Sequence, residues 1–294
     1  MVLPWLHRSS ISRSFTMICS TPYAFLAMFS VPPVSLIISQ LTLGLVQGLG
    51  GRSYAGSQWR TDLTLRMLKA YAREDVPVRR GAERPLVGRY PHDKGIEPLE
   101  NEAVPFIINT CRENPGMTLL AIGPLTNVAL ALHLAPDIKK TTDFVIMGGM
   151  IGSAQPEWNI LCDPEAAATV LEQTNPHLIG LDITEQCRLD KEQADSLVRG
   201  DTPQMAILQE EMGRFFNEFD FLPVLHDPLA LACLLREDLV TFEPRMISVE
   251  TKGQHTRGTT VWNRHTKDSN IRYGTKVKAR EATEFICKRV RGEN

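Results

Sequence analysis

The sequence predicts an α/β fold with a mostly parallel central sheet and helices on both faces. Short apolar runs such as MTLLAI (117–122), FVIM (144–147) and HLIGL (177–181) alternate with stretches whose apolar residues recur at helical spacing. Each run ends in glycine or a polar residue that turns the chain. The length, 294 residues with 43% hydrophobic and 22% charged, suffices for a large core. Such alternation buries the strands between helix layers and places ligands beyond the carboxyl ends of the strands.

Taken in order, Val34 to Val46 reads as a buried strand, and Ser57 to Ala72 as a helix carrying Trp59, Leu63, Met67 and Tyr71 on one face. A Pro- and Gly-rich connection follows through Val76-Pro77-Val78 and Arg84-Pro85-Leu86. Pro98 to Asn114 is a helix stopped by Asn114-Pro115-Gly116, after which MTLLAI is a strand and Gly123-Pro124 turns into a helix beginning near Leu125. FVIM ends in Gly148-Gly149; Pro164 to Gln173 is a helix with Asp163 as N-cap and Pro164 at its first position. HLIGL ends at Asp182. Helices follow at Lys191 to Val198, Pro203 to Phe219 and Asp227 to Leu235. Met246 to Glu250, Thr259 to Trp262 and Ile271 to Val277 read as late strands, some of them antiparallel, before a closing helix from Arg280 to Val290.

The charge pattern divides the chain. Residues 1 to 61 hold four arginines and no Asp or Glu, and the remainder holds 34 acidic against 28 basic residues. Residues 1–33 are therefore set apart as an atypical N-terminal segment, a leader or a mis-assigned start, from a domain spanning 34–294. The uncharged run from Ser14 to Gly51 is broken by Pro22, Pro32 and Pro33, which argues against a spanning helix and against membrane association. An acid-free start bearing Arg and Ser leaves a mitochondrial address as the alternative to a cytoplasmic location. The net charge of −2 lacks the cationic excess that phosphate backbones require, so no nucleic-acid partner is expected. Six cysteines without a CxxC pair argue against a disulfide scaffold or a structural zinc site, and for a reducing compartment.

The strand ends carry Thr126 and Asn127, then Glu157 and Asn159, then Asp182 and Thr184, with His226-Asp227 ahead of another helix. Each has a plainer structural reading: Thr126, Asn127 and Asp227 as helix caps, His226 as a satisfied histidine, Glu157 and Asn159 as a solvated loop. Four such features at four strand ends together point to a polar ligand site. Glu157 and Asn159 suit the vicinal hydroxyls of a sugar, the carboxylate accepting and the amide doing both. Asp227 and the Thr126 carbonyl are hard oxygen donors of the kind calcium takes. His226 could protonate a leaving nitrogen. No GxGxxG, P-loop, HExxH or GxSxG occurs, which removes the best evidence for dinucleotide, ATP, zinc-protease or serine-hydrolase chemistry.

The strings AIGPLTNVALAL (121–132), FVIMGG, PEWNILCDPEAA (156–167), GLDITEQ (180–186), LHDPLALA (225–232) and TRGTT (256–260), in this order, resemble the inosine-uridine-preferring nucleoside hydrolase family from about residue 41 onward. The resemblance implies a calcium-dependent α/β hydrolase that splits ribonucleosides into free base and ribose in nucleoside metabolism and nucleotide salvage, as a dimer or tetramer. It implies Thr126 (through its carbonyl) and Asp227 as metal ligands, Glu157 and Asn159 as ribose contacts, Met147 as pocket lining, and His226 as the catalytic residue that helps the base depart.

The family's opening strand, however, ends in a DxDxxxDD cluster that supplies most calcium carboxylates and the general base, and this chain has no carboxylate before Asp62. The family's Gly-Asn after the second strand is replaced by Gly48-Leu49, and the loop from Gly149 to Glu157 is short, with Ser153 where a Gly-Asn is usual. Calcium takes six to eight oxygens, so the expectation is an incomplete metal site and impaired hydrolysis, with a non-catalytic nucleoside- or ribose-binding homologue as the alternative. Phe25 to Val31 or Val34 to Ile38 is expected to fill the slot of the missing strand. Base specificity is expected to depend on loops near Phe215 to Asp220.

Overall fold

The computed structural model describes residues 15–19, 34–38, 57–82, 84–88, 101–263 and 271–293. Its main sheet contains β1 (Phe15–Cys19), β2 (Val34–Ile38), β3 (Val78–Arg80), β4 (Thr118–Ala121), β5 (Asp143–Met147), β6 (His177–Ile179), β7 (Val240–Pro244) and β10 (Arg272–Val277), in the order β3-β2-β1-β4-β5-β6-β10-β7. Every pairing is parallel except that of β10 with β7 at one edge. Strands β8 (Ile247–Val249) and β9 (Thr260–Trp262) form a separate antiparallel pair.

The buried strands alternate with period two. Leu120, Val145, Met147 and Ile179 face a core that holds Leu229, Ala230 and Cys233 of α9 (His226–Leu235) and Ile286 of α10 (Ala279–Val290). Leu119, Ala121, Phe144, Ile146 and Leu178 face the opposite core. That side is covered by α2 (Ala103–Glu113), α3 (Thr126–Leu134) and α5 (Pro164–Gln173), through Ile107, Val128, Leu132 and Val170. All these positions are buried, each large side chain contributing about 1.5–3 kcal/mol. The α/β architecture thus has helices over both faces, as the alternating runs predict.

The centre of the sheet corrects one expectation. Phe15–Cys19 lies between β2 and β4, in register Phe15 with Val34 and Thr118, and Ile18 with Ile37 and Ala121. Val34–Ile38 is its neighbour, and residues 25–31 lie outside the described residues. A parallel neighbour on each side satisfies the backbone of β4 that would otherwise be an open edge. The division drawn at residue 33 therefore falls between two paired strands.

Other differences are local. The helix predicted from Pro98 begins at Ala103, because the Asn101 carboxamide oxygen accepts the Ala103 and Val104 N–H groups, each at 3.1 Å. β3 and β7 were not anticipated, and β2 ends at Ile38 in place of Val46, with residues 39–46 outside the described set. HLIGL leaves the sheet at Ile179 and turns into α6 (Leu181–Thr184). Helices α1 (Ser57–Ala70), α7 (Lys191–Leu197) and α8 (Pro203–Glu218) stand close to their predicted bounds. Asp190 and Gln193 form a reciprocal capping box at α7, and the Thr202 hydroxyl accepts the Met205 N–H at α8. Cys111, Cys187, Cys233 and Cys287 are buried free thiols, and among the described residues no helix is long and apolar enough to cross a membrane.

Candidate active site

The carboxyl ends of β4, β5 and β6 deliver Thr126, Met147 and Thr184 to one edge of the sheet. After β5 the chain passes through Gly148-Gly149, where Gly149 takes φ +75°, a left-handed conformation that suits glycine. It returns to the edge at Glu157, which opens α4 (Trp158–Cys162), a short helix where the plainer sequence expectation is a solvated loop.

Glu157 is the organising group of this turn. Its Oε1 accepts the Asn159 N–H at 2.9 Å, while Oε2 accepts those of Gly149 at 3.0 Å and Ile160 at 3.1 Å. Only 4% of the residue is exposed. Burial pushes the carboxyl up to about 7, with the surrounding backbone N–H groups pulling the other way. Glu157 is therefore first an N-cap, with acceptor capacity left mainly on Oε1.

Asn159 is also buried. Its Nδ2 donates to the Met147 carbonyl at 3.1 Å and approaches the Met147 sulfur at 3.5 Å, whereas its Oδ1 is buried with no partner among the described residues. The amide expected to give and take a hydrogen bond at a sugar thus has one hand fixed on β5 and its acceptor open. Met147, at the end of β5, is buried beside it.

Thr126 heads α3 and is buried, its hydroxyl donating to Asp163 Oδ2 at 2.5 Å. The same carboxylate accepts the Leu86 N–H at 2.9 Å and, as the N-cap of α5, the Ala166 N–H at 3.1 Å. Asp163 was read from sequence only as a cap; here it ties three segments together. Burial pushes its carboxyl pKa up, and the Thr126 hydroxyl and the two N–H groups oppose that. Asn127 binds the next segment, its Oδ1 accepting from Ala82 N at 2.8 Å and Asn101 Nδ2 at 3.2 Å.

His226 and Asp227 form the first turn of α9. The half-buried imidazole sets Nδ1 2.7 Å from the Thr184 hydroxyl, which joins α9 to the end of β6. Burial, and then the nearby Arg188 cation, lower its pKa to about 4, so the ring is neutral at pH 7. Asp227 is buried in the same turn. Arg188 donates to the Leu222 carbonyl at 3.0 Å and stands 6.0 Å from the ring of exposed Phe221.

Calcium would need several anionic oxygens at this edge. Among the described residues no group of three or more His, Cys, Asp or Glu side chains gathers to hold a metal. The central strand β1 ends at Cys19, and no carboxylate precedes Asp62. The described residues therefore do not fit a calcium ion held as the family resemblance implies.

The family model described as inosine-uridine preferring nucleoside hydrolase matches residues 52–284. The chain belongs to this nucleoside hydrolase family. Curated relatives include the pyrimidine-specific ribonucleoside hydrolase of Citrobacter koseri, 34% identical over 227 residues, which cover 67% of this chain and 72% of the relative. That of Salmonella arizonae is also 34% identical, covering 67% and 73%. Among solved structures, an inosine-guanosine nucleoside hydrolase superposes with a TM-score of 0.80 at 23% identity, covering 95% of this chain and 99% of the other. A purine-preferring ribonucleoside hydrolase from Gardnerella vaginalis gives 0.75 at 21%, covering 95% and 98%. These superpositions establish a nucleoside hydrolase fold.

Membership gives the matched strings structural work. Thr260, in TRGTT, has its hydroxyl 2.8 Å from both the Met150 N–H and the Met150 carbonyl, clamping the loop after β5. In GLDITEQ, Asp182 accepts a short hydrogen bond from the Tyr273 hydroxyl, and Thr184 holds His226. Tyr273 and Thr260 escaped the sequence reading because their partners lie more than 90 residues away.

Proposed function

We propose that this chain keeps the sugar-recognising part of a nucleoside hydrolase pocket and cleaves the N-glycosidic bond of ribonucleosides, to free base and ribose, only weakly. The observation carrying this reading is the open, buried Oδ1 of Asn159, held in place by the bond from Nδ2 to Met147. A buried acceptor left unmade costs about 1–3 kcal/mol, which a ribose hydroxyl would recover. Glu157 Oε1 supplies a second acceptor nearby, and Met147 lines the sugar side.

His226 serves the departing base. In the tautomer whose Nδ1 accepts a hydrogen bond from the Thr184 hydroxyl, Nε2 carries the ring N–H and can donate a hydrogen bond to the leaving nitrogen. Phe221 and Arg188 form the rim on that side. The relatives' printed names make uridine and cytidine the first substrates to try.

Asp227 and the Thr126 carbonyl are two of the six to eight oxygens calcium takes, so this reading assigns the metal no step. Losing a positioned general base typically costs about 10²- to 10⁴-fold in rate. A non-catalytic ribose or nucleoside binder is the second reading, favoured by the same pairing of an intact sugar acceptor with a missing carboxylate cluster. A cytoplasmic dimer or tetramer acting in nucleoside salvage completes the proposal, and size-exclusion chromatography and fractionation check those parts.

The deciding experiment is calorimetry of the purified chain with ribose and uridine, with and without EDTA, beside a base-release assay. Binding that survives chelator, with turnover at least about 100-fold below an active relative, supports the proposal. Fast base release abolished by EDTA overturns it, and undetectable turnover with intact binding selects the pure binder.

A further inference from the structure

The hydroxyl of Tyr273 is a buried polar group at the site's edge that the proposed sugar contacts do not use. Tyr273 lies in β10, opposite Leu178 of β6, and only 2% of it is exposed. A phenylalanine would fill the same core space, so the hydroxyl has to be explained by what it bonds. It donates to Asp182 Oδ1 at the start of α6. The Glu157 charge is close enough to disfavour ionisation of the phenol, which burial also opposes.

Gly180 makes the approach possible. A Cβ placed there would lie 1.8 Å from the Tyr273 hydroxyl and 2.5 Å from Asp182 Oδ1, so only a residue without a side chain leaves room for the pair. The loop is also stitched to β6 and α6 by the Gly148 N–H on the Ile179 carbonyl at 3.1 Å and the Leu181 N–H on the Gly149 carbonyl at 2.7 Å. Successive loop residues thus have separate anchors: Gly148 on Ile179, Gly149 on Glu157 and Leu181, Met150 on Thr260.

We infer that Tyr273 is a positioning residue for sugar recognition, its hydroxyl fixing Asp182 in α6 so that the adjacent Leu181 keeps its hold on Gly149, Gly149 stays on Glu157 and Asn159 stays aimed at the ribose. This rests on the ribose reading of Glu157 and Asn159. Removing the hydroxyl frees Asp182 and weakens the coupling of α6, through Leu181, to Gly149 and the cap of α4.

The test compares Tyr273→Phe, Asp182→Ala and Asp182→Asn by ribose and uridine calorimetry and by amide hydrogen exchange well below the unfolding transition. Tyr273→Phe and Asp182→Ala should weaken ribose binding by about threefold to thirtyfold. Both should speed exchange at Gly149 and Leu181 while leaving α10 amides unchanged. Asp182→Asn keeps an acceptor for the phenol and should bind within about twofold of the parent. Unchanged exchange at Gly149 and Leu181 in Tyr273→Phe overturns the inference, as does parental ribose affinity in that variant. Failure of the parent itself to bind ribose would instead sink the ribose reading, and the exchange measurement would still decide whether Tyr273 holds the loop.

Discussion

Glu157→Gln separates two forces that act on one carboxyl. Three backbone N–H groups point at its oxygens, which favours the anion, while burial to 4% exposure favours the neutral acid and prevails, setting the pKa at about 7 against an ordinary 4.5. The folded state therefore holds this proton more tightly than the unfolded chain. Its contribution to stability is full below about pH 4.5 and is lost as pH rises towards 7, a change of about 3 kcal/mol at about 1.4 kcal/mol per pH unit. The substitution removes that titration. It also turns one acceptor oxygen into an NH2 group: keeping the bonds to Gly149 and Ile160 leaves the Asn159 N–H facing a donor, at a cost of about 1–3 kcal/mol. Urea unfolding followed by tryptophan fluorescence between pH 5 and 8 reads the difference between parent and variant, in which the titration of the other side chains cancels. The variant should be clearly less stable near pH 5, and its deficit should shrink or reverse by pH 8. A deficit that is constant or grows with pH would mean that the N–H groups keep Glu157 ionised and that the burial argument is wrong.

Other changes probe the supports of the site. Asp163→Ala strips the acceptor from the Thr126 hydroxyl, Leu86 N–H and Ala166 N–H, and should cost about 2–4 kcal/mol in chemical denaturation. Gly180→Ala places a Cβ on the Tyr273 hydroxyl and should cost about 1–3 kcal/mol, only part of it recovered when Tyr273→Phe is added, because Asp182 Oδ1 at 2.5 Å and the ring Cζ at 2.7 Å still crowd the Cβ. Gly81→Ala would set a Cβ 2.3 Å from Asn127 Nδ2, so the amide must shift and the Ala82 bond at 2.8 Å weakens. A lowered melting temperature checks it.

The main elements were legible because burial imposes a period. FVIM and MTLLAI could only be two-sided buried strands, and Asp163-Pro164 could only begin a helix. The strand at Phe15–Cys19 was not legible, since FTMIC differs little in pattern from FLAMFSV or VSLII and pairing partners decide among such runs. The same limit applies within the site. Glu157, Asn159 and His226 could be chosen from local strings, but that Glu157 spends most of its acceptor capacity on a helix start depends on where Gly149 lies in space. That Asn159 keeps only its acceptor free follows from the Met147 carbonyl, twelve residues upstream.

The proposed site residues owe their placement to protein contacts: Glu157 to three N–H groups, Asn159 to β5, His226 to Thr184, and Thr126 to Asp163. A pocket organised in this way has little to gain from a metal in stability, which can be measured without any turnover. Even calcium sites with a full set of ligands reach dissociation constants as weak as about 10⁻³ M, so a site offering Asp227 and one carbonyl should be no tighter. At about 1 mM calcium such a site stabilises the fold by at most about 0.4 kcal/mol, a shift of about 1–2 °C in melting temperature for a chain of this size. A micromolar site would give about 4 kcal/mol under the same conditions and a shift of many degrees. Differential scanning calorimetry with calcium and with EDTA therefore distinguishes the cases directly. A large calcium-dependent rise that disappears in Asp227→Ala would place further oxygens beside Asp227 and refute the view that this chain grips the sugar without the ion.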